Sequence, residues 1–128
     1  MLQDADTVNQ FTRDGNRRTL PLAENCIKYS LTVGAYHAET NTLASWAVLT
    51  RYGAIGMAAT HPQHRRKGLA KAVVSSLCVK LLDHNFDIIP YCYIVKNNIA
   101  SINLVESLGF KLFIESEVMW GQITSESK

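Results

Sequence analysis

Apolar and polar residues follow two periods along this chain, and each change of period marks an element boundary. Residues 69–83 give the clearest helix. There Ala70, Val73, Val74, Leu77, Cys78, Leu81 and Leu82 recur at i, i+3, i+4 and i+7, with Lys71, Ser75 and Lys80 opposite. Residues 4–13 predict a short helix with Asp4 or Asp6 as cap, Val8 and Phe11 inward, and Asp14-Gly15-Asn16 as its break. Residues 20–29 predict another. Thr19 can cap it, Pro21 is tolerated in its first turn, and Leu20, Ala23, Cys26 and Ile27 share one side. A last helix, residues 99–108, has Asn97 or Asn98 to cap it and Gly109 to stop it.

Between the helices the period shortens to two. Leu31 to His37 is rich in β-formers, Glu39-Thr40-Asn41-Thr42 reads as a turn, and Leu43 to Thr50 runs Leu-Ala-Ser-Trp-Ala-Val-Leu-Thr. Arg51-Tyr52-Gly53 turns the chain again before the small apolar run from Ala54 to Thr60, so two adjacent hairpins make an antiparallel meander. Ile88 to Val95 reads as a buried strand. Phe110 to Ile123 supplies one or two more, with Glu115-Ser116-Glu117 as a turn. Strand, long helix and strand in succession make residues 54–95 a right-handed parallel crossover. The expected fold class is α/β (α+β), a mixed, mostly antiparallel sheet with helices on both faces.

Composition narrows the function. At 128 residues the chain can build one core and not two, so residues 1–128 are expected to form a single domain. A formal charge of +2 is too small for a general nucleic-acid binder, and no apolar run is long enough to cross a bilayer. Cys26, Cys78 and Cys92 are odd in number, widely spaced and set in apolar segments. They read as buried free thiols in a reducing compartment rather than disulfides, a metal site or a nucleophile. The polar start Met1-Leu2-Gln3-Asp4 is no signal peptide, so the expected location is cytoplasmic, with the mitochondrion as the alternative.

The basic residues are few but clustered. Thr60-His61-Pro62-Gln63-His64-Arg65-Arg66-Lys67-Gly68-Leu69-Ala70 joins the end of a strand to the start of the best helix. A helix N-terminus offers unpaired N–H groups and a partial positive charge to an anion. Gly68 permits an unusual φ and close approach of backbone to phosphate, and small Ala70 keeps the first turn open. Arg65, Arg66 and Lys67 add charged donors. The loop is therefore a candidate pyrophosphate cradle. It lacks the GxxxxGK[ST] of a Walker loop and the three glycines of a Rossmann turn.

Arg65-x-x-Gly68-x-Ala70 resembles the [QR]xxGx[GA] signature of the GNAT N-acyltransferases, in which backbone amides hold the pyrophosphate of coenzyme A. The small-residue strand before it, ending Ala58-Ala59-Thr60, looks like the strand on which acetyl-coenzyme A lies. Asn98-x-x-Ser101-x-x-Leu104-x-Glu106-x-Leu108-Gly109-Phe110 looks like the family's Nxx[AS]xxLYExLGF helix motif. Asp4-Ala5-x-x-Val8-Asn9, Leu43-Ala44-Ser45-Trp46 and Pro90-Tyr91-Cys92-Tyr93 are similar to the carboxy-terminal domain of glycine N-acyltransferase-like proteins. The resemblance runs from about Asp4 to Phe110. It implies a central pair of parallel strands that splays to admit an acyl-coenzyme A, with no metal. It also implies coenzyme A contacts at Ala58, Ala59, Thr60, Arg65, Arg66, Lys67, Gly68, Leu69, Ala70, Asn98 and Ser101. A backbone N–H near Ala58 or Ala59 would polarise the thioester carbonyl. The implied reaction moves an acetyl or other short acyl group to a primary amine of a small molecule, an amino acid such as glycine. A protein N-acetyltransferase, acting on lysine or an N-terminus, and a non-catalytic acyl-coenzyme A binding module are the alternatives.

The chain departs from that pattern at three places. Many relatives have a tyrosine acid where this chain has Val105, and glycine N-acyltransferases can have a glutamate base where this chain has Ala54. Tyr91 and Tyr93 share one face of the next strand and are the candidate substitutes, with Cys92 on the other face. His61 and His64 titrate in a useful range, His64 facing phosphate, while His37 and His84 read as surface residues. Trp46 reads equally as a packed core residue and as a neighbour of the amine. The family's first strand is also missing, which leaves Leu31 to His37 as a sheet edge to be covered by a second copy or by an upstream domain.

Overall fold

The computed structural model describes residues 2–11, 18–50, 53–83, 89–114 and 119–122. The strongest helical pattern becomes α3, Leu69–Asp83, with Val73, Val74, Leu77, Cys78 and Leu81 buried; Leu82, expected on the same side, is exposed. Residues 2–4 form one 3-10 turn that leads into α1, Ala5–Phe11, whose Val8 is fully buried. Next, α2 spans Leu20–Tyr29. Thr19 stands at its N-cap position but makes no capping bond. Its hydroxyl instead donates to Asn9 Oδ1 at 2.6 Å, tying α2 to α1. Pro21 explains part of this, because a proline at the second helical position removes one of the two N–H groups a cap would serve. In α4, Ile99–Ser107, Asn98 does cap: its Oδ1 accepts the Ser101 N–H at 3.3 Å. Gly109 ends that helix at φ +93°.

The strands are β1 Thr32–Tyr36, β2 Leu43–Leu49, β3 Ile55–Thr60, β4 Tyr91–Tyr93, β5 Phe110–Ile114 and β6 Met119–Gln122. They form one sheet in the order β1-β2-β3-β4-β6-β5, antiparallel throughout except for β3 and β4. The meander and the parallel pair are as the sequence predicts. The strand expected over Ile88 to Val95 is shorter, because Pro90 has no ladder donor and Val95 already accepts the Asn98 N–H at 3.0 Å. Ile88, Ile123, His84, the break at Asp14-Gly15-Asn16 and the turns at Arg51-Tyr52 and Glu115-Ser116-Glu117 lie outside the described residues.

Two cores flank the sheet. Under α3 and α4 lie Ala47, Ile55, Cys92, Ile94, Phe110 and Trp120 with the buried side of α3. Under α1 and α2 lie Leu43, Trp46 and Val48 with Val8, Cys26 and Ile27. Helices on both faces explain why β2 is buried from Leu43 through Val48 instead of alternating. Trp46 is fully buried, so it is a core residue, and Phe11 packs beside it at 6.1 Å. All three cysteines are buried and free.

Candidate active site

Because β3 and β4 run parallel, the helices that follow them, α3 and α4, both begin at the carboxyl edge of the sheet. Two helix N-termini therefore face the same region, the place where open α/β sheets bind ligands. Among the described residues a single pair, Ile55↔Cys92, joins the two strands. β3 continues to Thr60 while β4 stops at Tyr93, so the strands fork. Within the fork β3 is irregular. Met57 and Ala58 lie opposite the single residue Ala47, and Met57 has φ +50°, the geometry of a β-bulge. Ala58 is exposed at this bulge. The end of the strand is pinned by Ser45, fully buried, whose Oγ bonds to the Ala59 carbonyl at 3.1 Å and to Thr60 Oγ1 at 2.9 Å. Sequence reasoning missed this role, although a serine inside an apolar strand was its signal.

After Thr60 the loop makes a 3-10 turn, Pro62–His64, and enters α3 through two left-handed residues, Arg66 at φ +66° and Gly68 at φ +75°. Arg65 Nε donates to the Thr60 carbonyl at 3.2 Å and holds the loop closed. Arg65, Arg66, Lys67 and Gly68 are exposed, with Leu69 and Ala70 half-buried at the first turn of the helix. A Cβ built on Gly68 would meet no atom within 4 Å. Glycine is needed there for backbone conformation, and the space beside it is open. An uncovered N-terminus on a 15-residue helix, three cations and that open space fit a diphosphate. Asn98 and Ser101 lie at the start of α4 on the same edge and bond to each other as its cap.

On the α2 face the fork opens into a cavity of about 550 Å³. Leu22, Cys26, Ile55 and Met57 give it an apolar wall, and Tyr91 and Tyr93 stand across it. The two tyrosine rings meet edge to face at 5.9 Å. Thr50 also lines the cavity, with its hydroxyl engaged on the Ala54 carbonyl at 2.8 Å. Cys92 points to the opposite core, where burial, and secondarily Cys78, pushes its thiol up to about 12. A neutral buried thiol makes no nucleophile. Val105 is the buried residue of α4, and Ala54 lines the cavity, so neither position carries a proton donor or acceptor to the site.

The histidines come together unexpectedly. His37, at the β1–β2 turn, packs against His64 with ring centroids 5.2 Å apart and planes tilted by 38°, and His64 lies 5.9 Å from His61. His61 Nδ1 accepts the Gln63 N–H at 3.2 Å, and Phe11 packs edge-on at 5.3 Å. No sequence signal links His37 to residues more than twenty positions away.

Residues 32–120 match the model of the FR47-like protein family. Similar folds are found in a Drosophila protein (18% identity, TM-score 0.80, covering 95% of this chain and 40% of that one). They are also found in the ribosomal-protein-S18-alanine N-acetyltransferase from Escherichia coli (18%, 0.72, 99% and 92%). A third is the ribosomal-protein-alanine N-acetyltransferase from Brucella melitensis biovar Abortus (17%, 0.61, 89% and 94%). This chain thus spans less than half the length of the Drosophila protein. With the family model matched over most of its length, the chain belongs to the FR47-like protein family, and its fold is that of the N-acetyltransferase structures above.

Proposed function

We propose that this chain transfers an acetyl or other short acyl group from coenzyme A to a primary amine of a small molecule, an amino acid such as glycine. One observation carries the reading: the basic loop and its left-handed glycine open an uncovered helix N-terminus beside the strand fork. In this reading the amides at Gly68, Leu69 and Ala70, with Arg65, Arg66 and Lys67, hold the diphosphate. Thr60 to Met57 covers about 10 Å of extended strand, within reach of a pantetheine arm lying in the fork. The bulge offers a backbone N–H of Ala58 or Ala59 to the thioester oxygen as negative charge develops there. A neutral amine enters from the cavity, a C–N bond forms, and the C–S bond breaks. The amine loses one proton, and the leaving thiolate gains one. In this reading Tyr91 and Tyr93, on the cavity wall, serve that exchange.

Acetylation of a protein amine is the second reading, since two of the similar structures are named as ribosomal-protein alanine N-acetyltransferases. None of the cavity's described lining residues is a carboxylate, which weighs against a lysine-rich acceptor and leaves an N-terminal amine as the form of the second reading. Thiol release from acetyl-coenzyme A, measured with glycine, other amino acids, a lysine peptide and a peptide with N-terminal alanine, separates the readings. We expect the amino acids to turn over fastest. Preference for either peptide establishes the second reading. Binding of acetyl-coenzyme A without thiol release from any amine would leave a non-catalytic module and defeat the enzymatic reading.

A further inference from the structure

The loop is not the only cationic feature at this edge. His64 sits inside it, His61 ends β3, and His37 reaches over from the β1–β2 turn, so three elements converge on one imidazole cluster. We propose that His37 and His64 form a second anion-holding element of the coenzyme A site, gripping a phosphate group of the ester through an imidazolium N–H. This rests on coenzyme A binding at the neighbouring loop.

Among the described residues, the charges acting on His64 are positive. Its own half-buried position comes first, then Lys67, His37 and His61, in holding its pKa below the usual 6.5. Arg65 and Arg66 lie in the same loop. Glu39 is exposed in the facing turn and is not among the charges acting on His64. Such a field repels a proton and attracts an anion. His61 is engaged through Nδ1, which accepts the Gln63 N–H. His37 is oriented by Thr40, whose Oγ1 lies 3.2 Å from its Nδ1. The ring nitrogens of His64 bond to no described residue and remain available. A phosphate placed against them reverses the local field, raises the pKa of His64, and so draws in a proton as it binds.

The sign of the linkage follows. The bound protein holds more protons than the free one between the two pKa values, so affinity rises as pH falls through that window and levels off outside it. Calorimetry of the parent chain and of His64→Gln with coenzyme A at pH 6.5, in buffers of low and high ionisation enthalpy and free of phosphate, reads uptake by the imidazole as the difference between the two chains. The difference is needed because the ligand's 3′-phosphate monoester itself titrates at about pH 6 and sheds a proton on binding. We expect more uptake in the parent, and roughly three- to tenfold weaker binding in His64→Gln at pH 6 than at pH 8 relative to the parent. His37→Gln should reduce the uptake as well. Repeating both titrations with dephospho-coenzyme A identifies the group: a difference that vanishes assigns the 3′-phosphate, and a difference that persists assigns the diphosphate. Equal proton balance in the parent and His64→Gln, or a pH dependence unchanged in both variants, would overturn the proposal while leaving coenzyme A binding intact. Absence of any binding heat or thermal stabilisation would remove the underlying reading of the loop, and this inference with it.

Discussion

Gly68 combines φ +75° with open space beside it, and this separates two effects that substitutions usually mix. Gly68→Ala meets no atom and should cost only backbone strain, about 1 kcal/mol in the unliganded chain. Gly68→Val puts a branched side chain where the ligand would lie. Acetyl-coenzyme A at a hundred times its dissociation constant should stabilise the parent by about 2.7 kcal/mol and Gly68→Val by nearly nothing, as read by thermal unfolding. Equal stabilisation of both chains would remove the glycine from the site. His64 gives a prediction of its own. Its folded pKa is lowered, so the unfolded chain binds more protons between that value and 6.5. Unliganded stability should therefore be full above 6.5 and decline as pH falls through the window, and His64→Asn should flatten that decline in urea unfolding. A slope unchanged in the variant assigns the decline elsewhere. Conformational needs of this kind were legible, since one glycine before a helix speaks for itself. Partner choice was not, and Thr19 bonding Asn9 instead of its own helix shows why: a buried carbonyl on another element outcompetes the local cap.

Among the elements, β3 concentrates the irregularities: a bulge, a positive φ at Met57, one parallel pair and a pinned end. Ser45 does the pinning. Ser45→Ala removes a hydroxyl bonded to both Ala59 and Thr60 and should cost about 1–3 kcal/mol, lowering the urea midpoint without changing the slope. An unchanged midpoint would mean that water replaces both bonds. On β4 the alternation read from sequence holds. Tyr91 and Tyr93 line the cavity while Cys92 and Ile94 enter the opposite core. Tyr91→Phe and Tyr93→Phe should keep coenzyme A affinity, and one of them should lose on the order of a hundredfold in turnover. Parent-like turnover in both variants removes the tyrosines from proton transfer. The bulge in β3 had no sequence signal, because Met57 and Ala58 fit a regular strand equally well. Only the ladder with β2 shows that two residues oppose one.

At the scale of the molecule, β1 is an edge of the sheet among the described residues. Leu31, Val33 and Ala35 pack toward α3, and Lys80 donates to the Thr32 carbonyl at 3.3 Å. That contact covers one carbonyl of the five-residue strand. We expect the remaining edge to pair, with a second copy or with a further segment of a longer protein. Light scattering coupled to size exclusion tests the first option. A monomer at tens of micromolar, with slow amide exchange throughout residues 31–37, would show the edge already covered.

The sequence by itself determined where the helices lie, the meander, the parallel crossover and the basic loop that opens the longest helix. Each of these follows from neighbours a few positions apart: helical and strand periods, caps, glycines, and a basic run ending at a helix start. What only the tertiary structure decided depends on residues far apart in the chain. The fork at Ile55↔Cys92, the bulge against Ala47, the cavity under α2 and the meeting of His37 with His64 all arise when separate elements converge. No local period encodes such distances. The candidates for proton transfer, Tyr91 and Tyr93, were legible from strand alternation once Val105 and Ala54 stood at the two family positions; the cavity that both line came only from the tertiary structure.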